Sequence, residues 1–210
     1  MTQSRPGQTL LVASENPDKV REIRELLGEV SLEVISPADL PRPLQLDEPH
    51  DTFVDNATEK AISAARDSGY LTVADDSGLV VPALDGAPGV HSSRIADSDS
   101  ERIAWLLQRM QGVRDRQRAA YFVCMLILAA PKGNVLGRWE GRVDGLITME
   151  PAGAGGFGYD PVFWYPPAEK TFAEMSAEEK NQISHRGRAL RAFLCDLRSL
   201  LAGIGLWQSE

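Results

Sequence analysis

Two adjacent carboxylates, Asp75 and Asp76, stand inside an apolar, strand-like run, Val73-Ala74-Asp75-Asp76-Ser77-Gly78-Leu79-Val80-Val81. Burying an unpaired charge is costly, so a chain that folds this run into its interior must bring counter-charge or a metal ion to it. Neighbouring side chains of a strand face opposite ways, and the β-branched Val73, Val80 and Val81 favour that conformation. In a strand, Asp75 and Asp76 therefore need different partners. Alternatively, Asp75-Asp76-Ser77-Gly78 forms a turn between two strands, since Asp, Ser and Gly are common turn residues.

With 210 residues, 43% of them hydrophobic, the chain can bury a substantial core as one large domain or two joined lobes. No basic leader followed by an apolar core is present, and the apolar stretch Val123 to Pro131 is too short to span a bilayer. A cytoplasmic location without membrane partners is expected. A net charge of −8 and a pI near 5.0 argue against a nucleic-acid surface, which needs clustered Lys and Arg. Cys124 and Cys195 show no metal or disulfide spacing and read as inert core thiols. Arg outnumbers Lys by 17 to five. Lys19, Lys60 and Lys180 each fall beside other site-like residues, although Lys60 on its own reads as a solvated helix lysine.

Thr9 to Ala13 is a short apolar strand that stops at Ser14-Glu15-Asn16-Pro17-Asp18 before the helical spacing Val20, Ile23, Leu26, Leu27. Pro17 suits the first turn, Asn16 or Ser14 can cap it, and Lys19 adds positive charge at what is then a ready anion site. Ordinary capping accounts for the same residues. Four prolines make residues 36 to 51 a loop, which carries Asp47 and Glu48. Thr52 then caps a helix marked by Phe53, Ala57, Ala61, Ala64 and Ala65, with Asp55 in the capping-box position. Asp85 to Gly89 is a turn cluster, and Ile103, Leu106, Leu107 and Met110 mark a third helix. Ala119 to Ala130, Pro131-Lys132-Gly133-Asn134 and Val135 to Val143 read as a hairpin whose first strand is buried on both sides.

Gly153-Ala154-Gly155-Gly156-Phe157-Gly158 matches the dinucleotide fingerprint GxGxxG but fails on context, because Pro151 before it, its own last residue Gly158 and Pro161 shortly after prevent a helix from opening there. What remains is a glycine loop presenting Phe157 and Tyr159, either to stack on a base or to pack a hairpin end. Ser176-Ala-Glu-Glu179 is a capping box starting a helix with Lys180, and the spacing Leu190, Phe193, Leu194, Leu197, Leu200, Leu201 continues that helical pattern. Lys180, His185 and Arg186 form a cationic cluster able to grip phosphate or a carbonyl oxygen, or else a solvated helix face.

Taken together, Val12-Ala-Ser-Glu-Asn16-Pro-Asp-Lys19, Thr52-Phe-Val-Asp-Asn56-Ala-Thr-Glu-Lys60, Ala74-Asp-Asp-Ser-Gly-Leu79, Gly86-Ala-Pro-Gly89 with Ser92-Ser-Arg94, Pro151 to Pro161, and Glu179-Lys180 with Ser184-His-Arg186 resemble the inosine/xanthosine triphosphate pyrophosphatase family. The resemblance runs almost end to end. It implies an α/β fold, one domain over residues 1–210 with an elongated, long mixed sheet, flanking helices and two lobes around a central cleft, usually as a homodimer. The chain departs from the family's usual Thr-Gly-Asn turn at Ser14-Glu15-Asn16, from its Glu-Glu-Thr-Gly loop at Asp47-Glu48-Pro49-His50, and from its aromatic-Ser-Gly after Arg94 at Ile95-Ala96-Asp97.

The resemblance also implies roles. Ser14, Glu15, Asn16, Pro17, Asp18 and Lys19 would bind the triphosphate. Asp76 would be catalytic, as proton acceptor, and would ligate Mg²⁺ with Asp47 or Glu48. Ser77 would touch the substrate, Phe157, Gly158, Tyr159 and Asp160 would shape the base pocket, and Lys180, His185 and Arg186 would approach the 6-oxo group. The resemblance further implies hydrolysis of ITP, dITP and XTP, with water attacking the α-phosphorus and pyrophosphate leaving. Septum-site-type pyrophosphatases share the architecture but carry a Ser-Pro-Arg-Arg-like first loop that is absent here. A nucleotide-binding module without turnover has no need of Asp75, Asp76 and Lys19 together.

Overall fold

The computed structural model describes residues 9–28 and 32–203. Seven strands form one sheet in the order β2-β1-β3-β4-β5-β6-β7: β1 (Thr9–Val12), β2 (Glu33–Ile35), β3 (Leu71–Val80), β4 (Ala119–Ala129), β5 (Val135–Ile147), β6 (Phe163–Tyr165) and β7 (Lys170–Thr171). It is mixed: β1 pairs in parallel with β2 and β3, whereas β5/β6 and β6/β7 are antiparallel. Among the described residues five α-helices accompany it: α1 (Pro17–Leu27), α2 (Phe53–Ser68), α3 (Asp99–Arg109), α4 (Ala177–Ile183) and α5 (His185–Gly203). Among the described residues no helix is long and apolar enough to cross a membrane.

The expected hairpin is present, β4 and β5 being joined through Ala130, whose N–H donates to Asn134 O at 2.8 Å. Most of β4 is buried on both faces, while β5 alternates buried and exposed positions from Arg138 to Gly145. Residues 71–80 form one unbroken strand, so the alternative of a turn at Asp75-Asp76-Ser77-Gly78 does not hold. Val73 and Leu79 are fully buried and anchor the strand on either side of the acids.

Two compact units make up the chain. Among the described residues, one comprises those up to Asp76 together with Met125–Glu140 and those from Ala189 to Gly203, and the other comprises Ser77–Cys124 and Gly141–Arg188. In the first, Ala57, Ala61, Ala64 and Ala65 of α2 pack on Leu11, Ala13, Ala74, Ile127 and Ala129. Their spacing puts four small side chains on one helical stripe, which lets the α2 backbone approach the strands closely. In the second unit the core is aromatic: Phe122, Phe163 and Phe172 have ring centroids 4.7 to 6.0 Å apart.

Two expectations need correction. The helical pattern after Ser176 is not continuous, because Ser184 adopts ψ 159° and ends α4 before α5 begins. Its N–H bonds back to Lys180 O, while its Oγ accepts from Gly187 N, so one serine closes the first helix and caps the second. Apolar spacing is blind to such a break, since both helices present apolar residues at helical intervals. Nor are both cysteines core thiols: Cys124 is buried but Cys195 is exposed. Phe193 and Leu197 occupy the buried stripe of α5, and a residue two positions from each points to the other side.

Gly187 sits against the helix break, where a Cβ would collide with the carbonyl oxygen of Asn181. Gly187→Ala is expected to destabilise the protein by about 1–3 kcal/mol, as overpacking against backbone does. The measurement is urea unfolding, with a lower midpoint and an unchanged slope.

Candidate active site

The first unit builds an acid and lysine cluster from β3, α1 and α2. Asp75 and Asp76 are 1% and 3% exposed, and successive strand side chains diverge as the sequence requires. Asp75 Oδ2 meets Lys19 Nζ at 3.2 Å, whereas Asp76 Oδ2 accepts from Asn56 Nδ2 at 3.1 Å. Lys19 reaches Asp75 from the first turn of α1, which Asn16 caps by accepting from the Asp18 and Lys19 amides, with Pro17 at the first helical position. Ser14 Oγ accepts from the Asn16 N–H, Glu15 is exposed, and Asp18 is engaged by Arg21. The turn from Ser14 to Lys19 is thus a tight strand-to-helix connection whose last lysine is turned to the acids.

Lys60 is the largest surprise of this unit. Rather than a solvated helix lysine it is 4% exposed, donating to Glu48 Oε1 at 2.5 Å and to the Asp75 carbonyl at 2.7 Å. Asn56 lies one helical turn earlier on the same side and is fully buried. Its side chain accepts from the His50 N–H and donates to the His50 carbonyl, fastening the proline-rich loop beside Glu48. Both were missed as site residues. The spacing i, i+4 on the same helix as the alanine stripe is the signal that could have found them. The close approach of α2 carries Asn56 and Lys60 inward with the alanines.

Burial pushes the Asp76 carboxyl above its ordinary value of 3.8, and the Glu48 charge adds to that, while the Lys60 and Lys19 ammoniums and the Asn56 amide pull the other way. Asp76 and Glu48 are therefore two oxygen donors that feel each other's charge. Asp47 is exposed and accepts instead from Gln45 Nε2. Among the described residues no group of three His, Cys, Asp or Glu side chains could hold a metal ion. Two carboxylates suit a cation such as Mg²⁺ that takes its remaining ligands from water and phosphate oxygens.

The second unit gathers donors around an aromatic ring. Arg186 is 2% exposed, and its guanidinium donates to Ser77 Oγ at 2.9 Å. Lys180 Nζ donates to Asp160 Oδ2 at 2.6 Å and lies 4.5 Å from the Phe157 ring centroid, with the Arg186 guanidinium 5.7 Å from the same ring. Both are buried, so this is no solvated helix face. His185 is buried too, stacking on Phe122 at 4.7 Å. In the glycine loop no helix opens, as the prolines require, and Gly153, Gly156 and Gly158 take positive φ. Phe157 remains half-buried, but Tyr159 packs into the core and donates its hydroxyl to Ser92 O at 3.0 Å. Burial pushes the Tyr159 phenol up to about 12, so it stays a donor at any working pH.

Residues 10–195 match the model of the Ham1 family. Relatives named dITP/XTP pyrophosphatase include that of Thermosynechococcus vestitus, 48% identical over 86% of this chain and 91% of its own length. One from Thermus thermophilus is 46% identical over 90% and 91%. Among solved structures, a HAM1 protein from Coxiella burnetii superposes with a TM-score of 0.82 at 38% identity, covering 91% of this chain and 98% of that one. A dITP/XTP pyrophosphatase from Mycobacterium abscessus does so with a TM-score of 0.71 at 41% identity, covering 89% and 98%. A match of this extent along the chain, with the same fold beneath it, makes the protein a member of the Ham1 family.

Proposed function

We propose that the protein hydrolyses the non-canonical purine nucleoside triphosphates ITP, dITP and XTP to the nucleoside monophosphate and pyrophosphate, clearing them from the nucleotide pool. The observation that carries this is the buried Asp75-Asp76 pair, held in an unbroken strand with Lys19, Lys60 and Asn56 on it. Such an arrangement costs stability and is explained by chemistry on a polyanion rather than by folding. The names of the relatives, dITP/XTP pyrophosphatase, support the same substrate class.

The turn from Ser14 to Lys19 takes the triphosphate, because a capped helix N-terminus with a lysine in its first turn favours phosphate oxygens. Lys19 and Lys60 balance charge there. Asp76 accepts the proton of the attacking water: burial makes it more basic than an ordinary carboxylate, against the opposing pull of the Lys60 and Lys19 ammoniums. Asp76 and Glu48 would hold Mg²⁺, whose chemistry there is to neutralise the phosphate oxygens. Ser77, next to Asp76 in the chain, contacts the substrate with its hydroxyl set by Arg186.

Phe157 stacks on the base, while Lys180, His185 and Arg186 supply donors for the 6-oxo group. Hypoxanthine and xanthine accept at that atom, whereas adenine donates. A pocket built to hydrogen-bond a substrate group rejects an analogue lacking it by about ten-thousand-fold. From the family resemblance, the protein is further read as a cytoplasmic homodimer that takes a nucleotide as its substrate.

With Mg²⁺, ITP, dITP and XTP are expected to yield pyrophosphate and not orthophosphate, and Asp76→Asn is expected to lower kcat about a hundredfold or more. Orthophosphate as the product, or a preference for pyrimidine triphosphates, would refute the assignment. Lys180→Met is expected to narrow the ratio of kcat/KM for dITP over dATP by about tenfold or more. Stability should move the other way in the metal-free protein. Since the folded-state pKa of Asp76 lies above the unfolded 3.8, its carboxyl favours the fold below that pH, and this contribution is lost as pH rises through the folded value. Asp76→Asn should therefore be more stable than wild type in urea at pH 7 with chelator, and the difference should vanish below about pH 3.8.

A further inference from the structure

Two consecutive amides of the glycine loop are each taken by a carboxylate. Asp160 Oδ2 accepts from the Phe157 N–H at 2.9 Å as well as from Lys180 Nζ. One residue further on, the Gly158 N–H donates to Asp99 Oδ2 at 2.6 Å. Asp160 belongs to the loop's own end, but Asp99 comes from the first turn of α3, 59 residues earlier in the chain. The other oxygen of Asp99 receives Arg102 Nη1 at 2.6 Å, and Arg102 Nε is itself fixed on the Ala96 carbonyl. The Asp99 carboxylate is thus oriented through one oxygen and offered to the loop through the other.

We propose that Asp99 is a positioning residue for base recognition: its carboxylate, oriented by Arg102, holds the Gly158 amide and so keeps the Phe157 ring against Lys180 and Arg186. The proposal rests on the preceding reading of Phe157 as the surface on which the base stacks. A hydrogen bond from an amide to a charged acceptor is roughly twice as strong as a neutral one. The segment it restrains carries Gly153, Gly156 and Gly158 at positive φ, a conformation that glycine leaves easily for others. Without Asp99, ordering the loop falls to the bound base, which raises the cost of binding. The base is remote from the phosphorus that reacts, so that cost is the same in the bound substrate and the transition state. It raises KM and leaves kcat in place.

The experiment uses the whole protein with Mg²⁺ and compares Asp99→Ala, Asp99→Asn and Ser98→Ala with wild type. Ser98→Ala removes the N-cap of α3 but leaves the contact with Gly158, and so controls for plain loss of helix stability. Four readouts are taken: kinetics on dITP, competitive inhibition by inorganic tripolyphosphate, affinity for inosine monophosphate, and amide hydrogen exchange of residues 153–161. Asp99→Ala is expected to raise KM for dITP and weaken the monophosphate about tenfold, with kcat within about twofold and tripolyphosphate inhibition unchanged. Exchange in residues 153–161 should quicken. Asp99→Asn, which keeps an acceptor oxygen, should recover most of the affinity, and Ser98→Ala should lower the melting temperature without moving KM. An unchanged KM in Asp99→Ala, or an equal loss of tripolyphosphate inhibition, overturns the inference while leaving the proposed function intact. A wild-type protein that neither hydrolyses nor binds purine nucleotides overturns both.

Discussion

A carboxylate pair in the middle of a buried strand survives only if cations and donors reach it, and the first unit is arranged around that need. The strand alternation of β3 separates Asp75 from Asp76, so one partner cannot serve both. Lys19 arrives from the capped start of α1, and Asn56 and Lys60 arrive from one side of α2. The alanine stripe of α2 makes this reach short, since larger residues at Ala57 and Ala61 would lift the helix off the strands and strand the acids without partners. Packing and electrostatics are therefore one constraint here: small side chains in the core are what let long cationic ones satisfy the acids.

The second unit solves a different problem, that of holding a glycine-rich segment still. Gly156 is needed because a Cβ there would collide with the Asp160 carboxylate, the same carboxylate that takes the Phe157 amide and the Lys180 ammonium. Freedom at the glycines is what allows the loop to wrap around that acid. It is offset by contacts from outside the loop, through Asp99 on Gly158 and through the Tyr159 hydroxyl on Ser92. Phe157 is left half-buried between fixed neighbours, with two cations near its face. A donor-rich surround of this kind is what the proposed recognition of a flat ring bearing an acceptor oxygen calls for.

Much of this is legible in the sequence. The strand and helix at Thr9 to Leu27, the Thr52 cap, the hairpin of β4 and β5, and the rejection of the dinucleotide fingerprint all rest on local rules, and local rules were sufficient for them. Legibility ended where a residue's role depends on what lies across from it. Lys60 looked solvated because a lone lysine on a helix usually is, and nothing in its neighbours announces Glu48 or the Asp75 carbonyl. Ser184 was hidden inside a continuous apolar spacing, because two helices meeting at a serine keep the same period. The exposure of Cys195 follows from the period of α5, because it lies two positions from both Phe193 and Leu197 of the buried stripe.

The sequence by itself determined the order of elements, the polar turn before α1, the tandem acids in an apolar run and the family to which the motifs belong. These are properties of short stretches, governed by dihedral preference, capping and the period of apolar residues. Tertiary structure alone decided that Asp76, Asn56, Lys60 and Glu48 form one electrostatic group, that Asp160 serves both Phe157 and Lys180, and that Asp99 clamps Gly158. Those pairings join residues far apart in the chain, and only a folded core brings them within the few ångströms over which hydrogen bonds and desolvated charges act.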